Sequence, residues 1–485
     1  MEVNDIKAMG RKAMGRKLKK FLSKFDDCFG RSEPRANLET IVQGQLSGLE
    51  RKSLEPIALA AGVAPRTLQD FVASGHWDHE RLRDQGQQLV AMEHAHPRSI
   101  GLIDESGNPK KGNATCGVYR QWCGNRGKVD NGVVGVHLGY TVGDFQCLLD
   151  SDIFLPEAWA NDRERRQKTQ VPEEVVFRTK PEIALSQVKR ALGNGIRFWS
   201  FTFDELYGRS GPFLDGLSGL GQHFVGEIPS DFVGWVQAPQ ILIKPTPAET
   251  RKRGHKRHFP RLSRKSLPAC QVRNLTKHSR VFTQQTWHRY RIKDGEKGPM
   301  VWEVKSAPFY RKQGKEGLPK QAHTLIVARK VSHPEEVKYF LANQSLPSPH
   351  VTLKDVLWVT FSRWPIERCF EIGKRDLGMD HFEMRQWVGI HRHFYISQLT
   401  QLFCAQVQQA LREKNADRSL FDGRTGSLGR QYLDYSSTSE TFRPIPLLSK
   451  HSRCDNVSPD AQSRFTCFPL ERSHKNTRSG RQPYQ

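Results

Sequence analysis

Apolar residues recur every three or four positions from Leu18 to about Arg83: Phe21, Phe25 and Phe29 stand four apart, and similar runs cover 38–49 and 54–61. That period predicts a set of helices. A turn at Gly62 precedes Ala64-Pro-Arg-Thr-Leu-Gln-Asp-Phe-Val, which begins another. Two readings stand side by side. Short helices joined by a Gly-containing turn would present Arg66 and Gln69 to a DNA groove, and an ordinary helical bundle would pack on the core instead.

At residue 99 the period changes. Strands are expected over 99–104, 132–140 and 145–153, the last two separated by Gly143-Asp144, then a helix over 181–192, a strand over 196–204, a helix over 212–220 and a strand over 223–228. Strands first paired as hairpins and then alternating with helices predict an α/β fold, a mixed sheet flanked by helices. From 232 to 348 the chain is strand-rich and interrupted, with paired strands around the Asp294-Gly295 turn and two more over 323–330 and 337–343. The stretch between Asp204 and Glu367 is too long for a simple βα step, so a β-rich insertion is inferred. Helices return over 351–377 and 390–412, and after Asn415 Ser, Arg, Asn and Pro dominate, as in a loosely ordered tail. The expected domains are a helical 1–95 (a candidate DNA-binding unit), the two parts of a catalytic core at 96–231 and 349–414, the insertion at 232–348 and the tail at 415–485.

Charge changes the picture. The chain has 75 Lys and Arg against 51 Asp and Glu, a net charge of +24, which favours a polyanionic partner and above all nucleic acid. Between Arg251 and Lys265 stand eight Lys/Arg, two His and no acid. Arg251, Lys252, Arg253, Lys256 and Arg257 are therefore candidates for DNA-backbone contacts, against the plain reading of a solvated loop. No run approaches the ~20 apolar residues of a membrane helix, mean hydropathy is −0.63, and the basic N-terminus lacks a secretory signal's apolar core. Nine scattered cysteines, with no second pair to match Cys116 and Cys123, predict neither a disulfide framework nor a zinc site and fit a reducing cytoplasm.

Three acids carry the candidate chemistry. Asp104 and Asp204 each close an apolar, β-prone run, at strand ends where open α/β sheets place ligands, and Glu367 lies in a helical segment. Brought together, they would repel one another unless a cation intervened. Hard oxygen ligands suit Mg²⁺ or Mn²⁺, and two such ions about 4 Å apart serve both the attacking and the leaving oxygen of a phosphodiester. Arg363 and Lys374 lie four residues before and seven after Glu367, so all three share a helix face. A surface salt-bridge ladder is the bland alternative, but Trp364, Ile366 and Phe370 imply that the segment packs. Trp235, Trp287 and Trp302 are either base-stacking platforms or core. No Gly-x-Ser-x-Gly elbow or P-loop offers other chemistry.

The run from Asp104 through Tyr119-Arg-Gln-Trp-Cys-Gly, then Leu155-Pro-Glu-Ala-Trp, Asp162-Arg-Glu-Arg-Arg, Lys180-Pro-Glu, Asp204-Glu-Leu-Tyr-Gly, Trp364-Pro-Ile-Glu, Gly378-Met-Asp-His-Phe-Glu-Met-Arg-Gln-Trp and His391-Arg-His resembles the DDE transposases of the insertion sequence 701 group, which are related to the insertion sequence 4 group. The resemblance covers roughly residues 20 to 410. It implies an RNase H-like core interrupted by a β insertion, and a metal-dependent DNA transposase that cuts and rejoins the ends of its element. Residue by residue it maps Asp104, Asp204 and Glu367 onto the metal-binding catalytic triad. Arg363 and Lys374 fall on the phosphate-gripping Arg and Lys of the related group's Tyr-Arg-Glu-Lys signature, whose Tyr falls on Thr360. Glu105 stands where many relatives carry a second acid. The implied partners are double-stranded DNA, as terminal inverted repeats and target, and a second copy of the chain in a synaptic complex, within a bacterial cytoplasm at the nucleoid. A transposase-derived DNA-binding protein without catalysis is the alternative, which the intact acids with Arg363 and Lys374 disfavour. A two-acid glycosidase is disfavoured by the charge.

Overall fold

The change of period at residue 99 corresponds to a change from helices to sheet. The computed structural model describes residues 11–421 apart from 124–126, 252, 296–297, 315–316, 347 and 349–350. Five helices come first: α1 (Arg11–Leu22), α2 (Ser32–Leu46), α3 (Leu54–Ala60), α4 (Pro65–Ala73) and α5 (His79–Glu93). Phe21, Phe25 and Phe29 are all buried, which accounts for their spacing.

This bundle packs on a 35-residue helix near the other end of the described chain, Trp387–Phe421. The Gln45 amide donates to the Ser397 hydroxyl at 3.0 Å, the Thr400 hydroxyl donates to Gln45 Oε1 at 2.6 Å, and the Arg392 guanidinium donates to the carbonyls of Val72, Gly75 and Trp77. The bundle reading therefore holds for the packed face. Arg66 remains exposed on α4 and pairs with Asp70 at 2.9 Å.

The first sheet is built from β1 (Ile100–Pro109), β2 (Tyr119–Cys123), β3 (Lys128–Val142), β4 (Phe145–Ile153) and β5 (Ser200–Phe203). β3 pairs antiparallel with β1, β2 and β4, and β1 pairs parallel with β5. Gly143, at φ +54°, makes the tight β3–β4 turn, a conformation that costs glycine little. α6 (Lys180–Gly193) starts with a reciprocal Thr179–Glu182 cap. β5 is shorter than its apolar run because Ile196 is still hydrogen-bonded to Ala191 of the preceding helix, beyond Gly195 at φ +90°.

A second, seven-stranded sheet contains β6 (Val225–Ile228), β7 (Val233–Trp235), β10 (Cys270–Gln271), β11 (His288–Gly295), β12 (Gly298–Arg311), β13 (His323–Lys330) and β14 (Val337–Ala342), while β8 (Ile241–Leu242) and β9 (Arg261–Leu262) form a separate ribbon. β6 pairs antiparallel with β14 and meets the first sheet through an isolated parallel bridge, Phe201 with Phe224. It thus joins the two sheets.

The helix expected over 351–377 is divided. α7 (Leu353–Phe361) ends before Ser362, α8 (Trp364–Glu371) begins with Pro365 in its first turn, and a π-turn follows over Ile372–Asp376. Proline lacks the N–H that a continuous helix needs and clashes with the preceding turn. The long helix, α9 (Trp387–Phe421), runs past Asn415. The remainder of the expected tail, 422–485, lies outside the described residues. Among those described, no helix is long and apolar enough to cross a membrane.

Candidate active site

β1 and β5 run parallel with Ile103 opposite Phe203, so Asp104 and Asp204 are the next residues on neighbouring strands. Asp104 is still within β1, and its Oδ1 accepts the Glu105 N–H at 2.8 Å. Asp204 has just left β5 and caps the one-turn helix Glu205–Gly208, its Oδ1 accepting the Leu206 N–H at 3.0 Å. Glu367 arrives on α8. The link between them is Arg363, at the break between α7 and α8: Nη1 donates to Asp104 Oδ2 at 2.7 Å and Nη2 to Glu367 Oε1 at 2.6 Å. Lys374, on the π-turn, donates to the Gly107 carbonyl of β1 at 2.8 Å. Helix and strand are therefore tied at two points, three residues apart on β1.

Strand alternation separates the two adjacent acids. Asp104 lies opposite His137 of β3, on the face that α8 covers, where the Phe370 ring sits 5.0 Å from the imidazole. Glu105 projects to the other face and meets Lys180, at the start of α6, at 3.0 Å. Its second oxygen, Oε2, is buried, as is the Tyr207 hydroxyl, which interacts with the Glu105 side chain. Burial, then the charges of Glu105, Asp104 and Asp204, push the Tyr207 phenol well above its ordinary range.

Burial dominates the titration of the two aspartates. Burial raises Asp104 to about 7; Arg363 opposes this, and Asp204 and Glu105 add to it. Asp204 rises to about 6, through burial and then Glu105, against the pull of Arg363 and two backbone N–H groups. Burial works to lower the Arg363 pKa, but Asp104 and Glu367 override it and hold the guanidinium charged. All the donors are hard carboxylate oxygens, the set that suits Mg²⁺ or Mn²⁺. Among the described residues, no three His, Cys, Asp or Glu side chains are gathered as a ready metal-binding group, and the Arg363 guanidinium stands between Asp104 and Glu367.

The basic loop is elsewhere. Arg251, Arg253, Lys256 and Arg257 lie between the short helix Pro247–Thr250 and β9, exposed except for the half-buried Lys256, whose ammonium reaches the Thr250 carbonyl at 2.9 Å. Lys252 lies outside the described residues. None of the hydrogen bonds of Asp104, Asp204 or Glu367 described above reaches this loop. Trp235 and Trp302 are core, and Trp287 has Arg329 and Lys305 over its ring, 4.0 and 4.8 Å from its centre. Lys180, Tyr207 and His137 were not singled out from the sequence. The first two lie inside the Lys-Pro-Glu and Asp-Glu-Leu-Tyr-Gly blocks, which was the available signal, and His137 had none beyond its apolar strand.

Comparison with known proteins bears on the family of the chain. The pattern of the DDE superfamily endonucleases matches residues 24–299. A probable transposase for insertion sequence element IS701 from Microchaete diplosiphon is 33% identical over 190 residues, 39% of this chain. That match spans about half of the relative's length, 47%.

Proposed function

This chain belongs to the DDE superfamily endonucleases, and we propose that it is a DNA transposase that cuts at the ends of its insertion sequence and joins them to target DNA, with Asp104, Asp204 and Glu367 as its catalytic acids. The observation that carries this reading is the Arg363 fork, which links an acid on the central strand to an acid on a helix 263 residues further on, beside the end of β5 where Asp204 sits. Three strands paired antiparallel, with a parallel strand on the far side of β1, agree with an RNase H-like core. The strands between β6 and α7 then make up the β-rich insertion.

Asp104, Asp204 and Glu367 are the residues that would hold Mg²⁺ or Mn²⁺, one ion or two. Such an ion, when bound, lowers the pKa of an attacking water and stabilises charge on the phosphodiester oxygens. Arg363 contributes a planar fork matched to phosphate geometry, already poised against two of the acids. Lys374 fixes α8 against β1, so the Glu367 carboxylate is presented from a tethered helix. Lys180 holds Glu105 on the opposite face and so leaves Asp104 as the acid on the Arg363 side. A second copy of the chain completes the synaptic complex in this reading, and the basic loop around Arg251, Arg253, Lys256 and Arg257 supplies backbone contacts.

The test is Mg²⁺-dependent cleavage of DNA carrying the sequences that flank the gene. The wild-type protein is expected to cut at the element's ends, and Asp104→Asn, Asp204→Asn and Glu367→Gln are each expected to lose cutting while binding the same DNA. Metal-dependent cutting that survives any of the three would remove that acid from the assignment. Binding with no cutting by the wild type would instead favour the catalytically silent DNA-binding protein.

A further inference from the structure

Beyond Gly132 the β2–β3 pair carries exposed side chains on both faces. Trp122 is 59% exposed, Val129 49% and Tyr119 45%, and Arg120 and Lys128 are exposed beside them. The register sets Trp122 opposite Val129 and Tyr119 opposite Gly132. By strand alternation Arg120, Trp122 and Val129 occupy one face of this ribbon and Tyr119 and Lys128 the other. Exposed large aromatics of this kind mark interaction surfaces when they cluster.

We propose that this ribbon is a duplex-DNA contact that holds the substrate at a fixed distance from the acids. The proposal rests on the reading of DNA as substrate. Two observations favour DNA over a protein partner. Over the ribbon itself, residues 119–132, the chain has three Lys/Arg, Arg120, Arg126 and Lys128, against one acid, Asp130. The aromatics also stand on both faces: a partner protein docked on the ribbon would cover one face, whereas a groove has two walls, and the major groove admits a two-stranded ribbon.

The geometry also fixes where the contact falls. β1–β3 pairing is unbroken from Thr141 to Gly132 and β2–β3 pairing from Gly132 to Lys128. His137, opposite Asp104, and Val129 therefore point to the same side of the sheet. The eight residue steps from one to the other span roughly 26 Å at the usual strand rise, which corresponds to about eight base pairs at 3.4 Å each. Trp122 and Arg120 meet the duplex there, on the face that carries Asp104.

The experiment uses the full chain and a labelled duplex carrying one end of the element, long enough to span both points, with Ca²⁺ in place of Mg²⁺. Wild type, the double variant Trp122→Ala/Arg120→Ala and the conservative Trp122→Tyr are compared by fluorescence anisotropy, hydroxyl-radical footprinting, sedimentation and thermal melting. The double variant is expected to bind roughly tenfold more weakly, with a salt slope lower by about one and protection lost about eight base pairs from the cut. Its mass and melting temperature stay unchanged, and Trp122→Tyr stays near wild type. Double-variant binding within twofold of wild type overturns the proposal, and so does a variant that falls apart into monomers while each protomer keeps its DNA affinity, since the ribbon would then be a protein interface. A wild type that binds no duplex would instead bring down the transposase reading on which the proposal stands.

Discussion

At the scale of single residues, the site is organised by buried carboxylates set against one guanidinium. Asp104 and Asp204 are pushed up to about 7 and about 6 chiefly by burial, with Arg363 countering both. Arg363 thus acts as an internal counter-ion where a divalent cation is expected. Arg363→Met should destabilise the chelator-treated protein by about 1–3 kcal/mol, below the ~3–5 kcal/mol of a fully buried pair, because Arg363 and Glu367 are 30% and 39% exposed. Mg²⁺ should then raise the melting temperature of this variant more than that of wild type, because ligand binding to the native state stabilises it by mass action. Equal increments in the two proteins would mean that the guanidinium and the ion do not share a role. The sequence presents Asp104 and Glu105 as neighbours and favours Asp104 by position alone. Strand alternation ranks them, because it gives one Arg363 and the other Lys180. Glu105→Gln is accordingly expected to leave measurable cleavage, in contrast to Asp104→Asn, in a single-turnover assay.

At the scale of elements, the apolar period located nearly every strand and helix that builds the site, yet missed how the Glu367 segment is broken. A continuous helix over 351–377 would put Arg363, Glu367 and Lys374 on one stripe. Pro365 and the π-turn at Ile372–Asp376 instead let Arg363 turn to the carboxylates and Lys374 to the Gly107 carbonyl. Residue spacing alone does not encode such a break, because it depends on which backbone groups find partners on β1. The segment is closed by Gly378, at φ +71°, where an added Cβ would lie 2.7 Å from Lys52 Cβ and 3.0 Å from His381 Nδ1. Gly378→Ala therefore meets both a left-handed backbone, about 1–2 kcal/mol for an L-residue, and a backbone-anchored clash. Gly62, at φ +70°, has nothing within 4 Å of an added Cβ, so Gly62→Ala isolates the backbone contribution. Urea melts should show Gly378→Ala losing clearly more stability than Gly62→Ala, with cleavage falling only in the former.

At the scale of the whole molecule, the same burial that sets up the site makes the fold sensitive to acid. Four histidines sit in separate regions: His79 on α5, His137 on β3, His323 on β13 and His393 on α9. Burial is the first cause in each of lowering His79, His323 and His393 to about 4 and His137 to about 3. Cations add to it, Arg392 near His79, Lys374 near His137, Arg311 near His323 and Lys110 near His393. The unfolded chain takes up these protons near pH 6.5 and the native state only well below that, so stability is full above about 6.5 and declines as pH falls towards 4. Asp104, Asp204 and Asp150, whose pKa values burial raises, bind protons earlier in the native state and work the other way. Each pKa unit of difference is worth about 1.4 kcal/mol, and the four histidines are displaced further in sum than Asp104 and Asp204. The expected outcome is a melting temperature that drops steadily from pH 7 to pH 4.5 in metal-free buffer, read by calorimetry. The double variant Asp104→Asn/Asp204→Asn, stripped of part of the opposing uptake, should drop more steeply. A flat profile in both would show that the buried imidazoles are already compensated by groups that titrate with them.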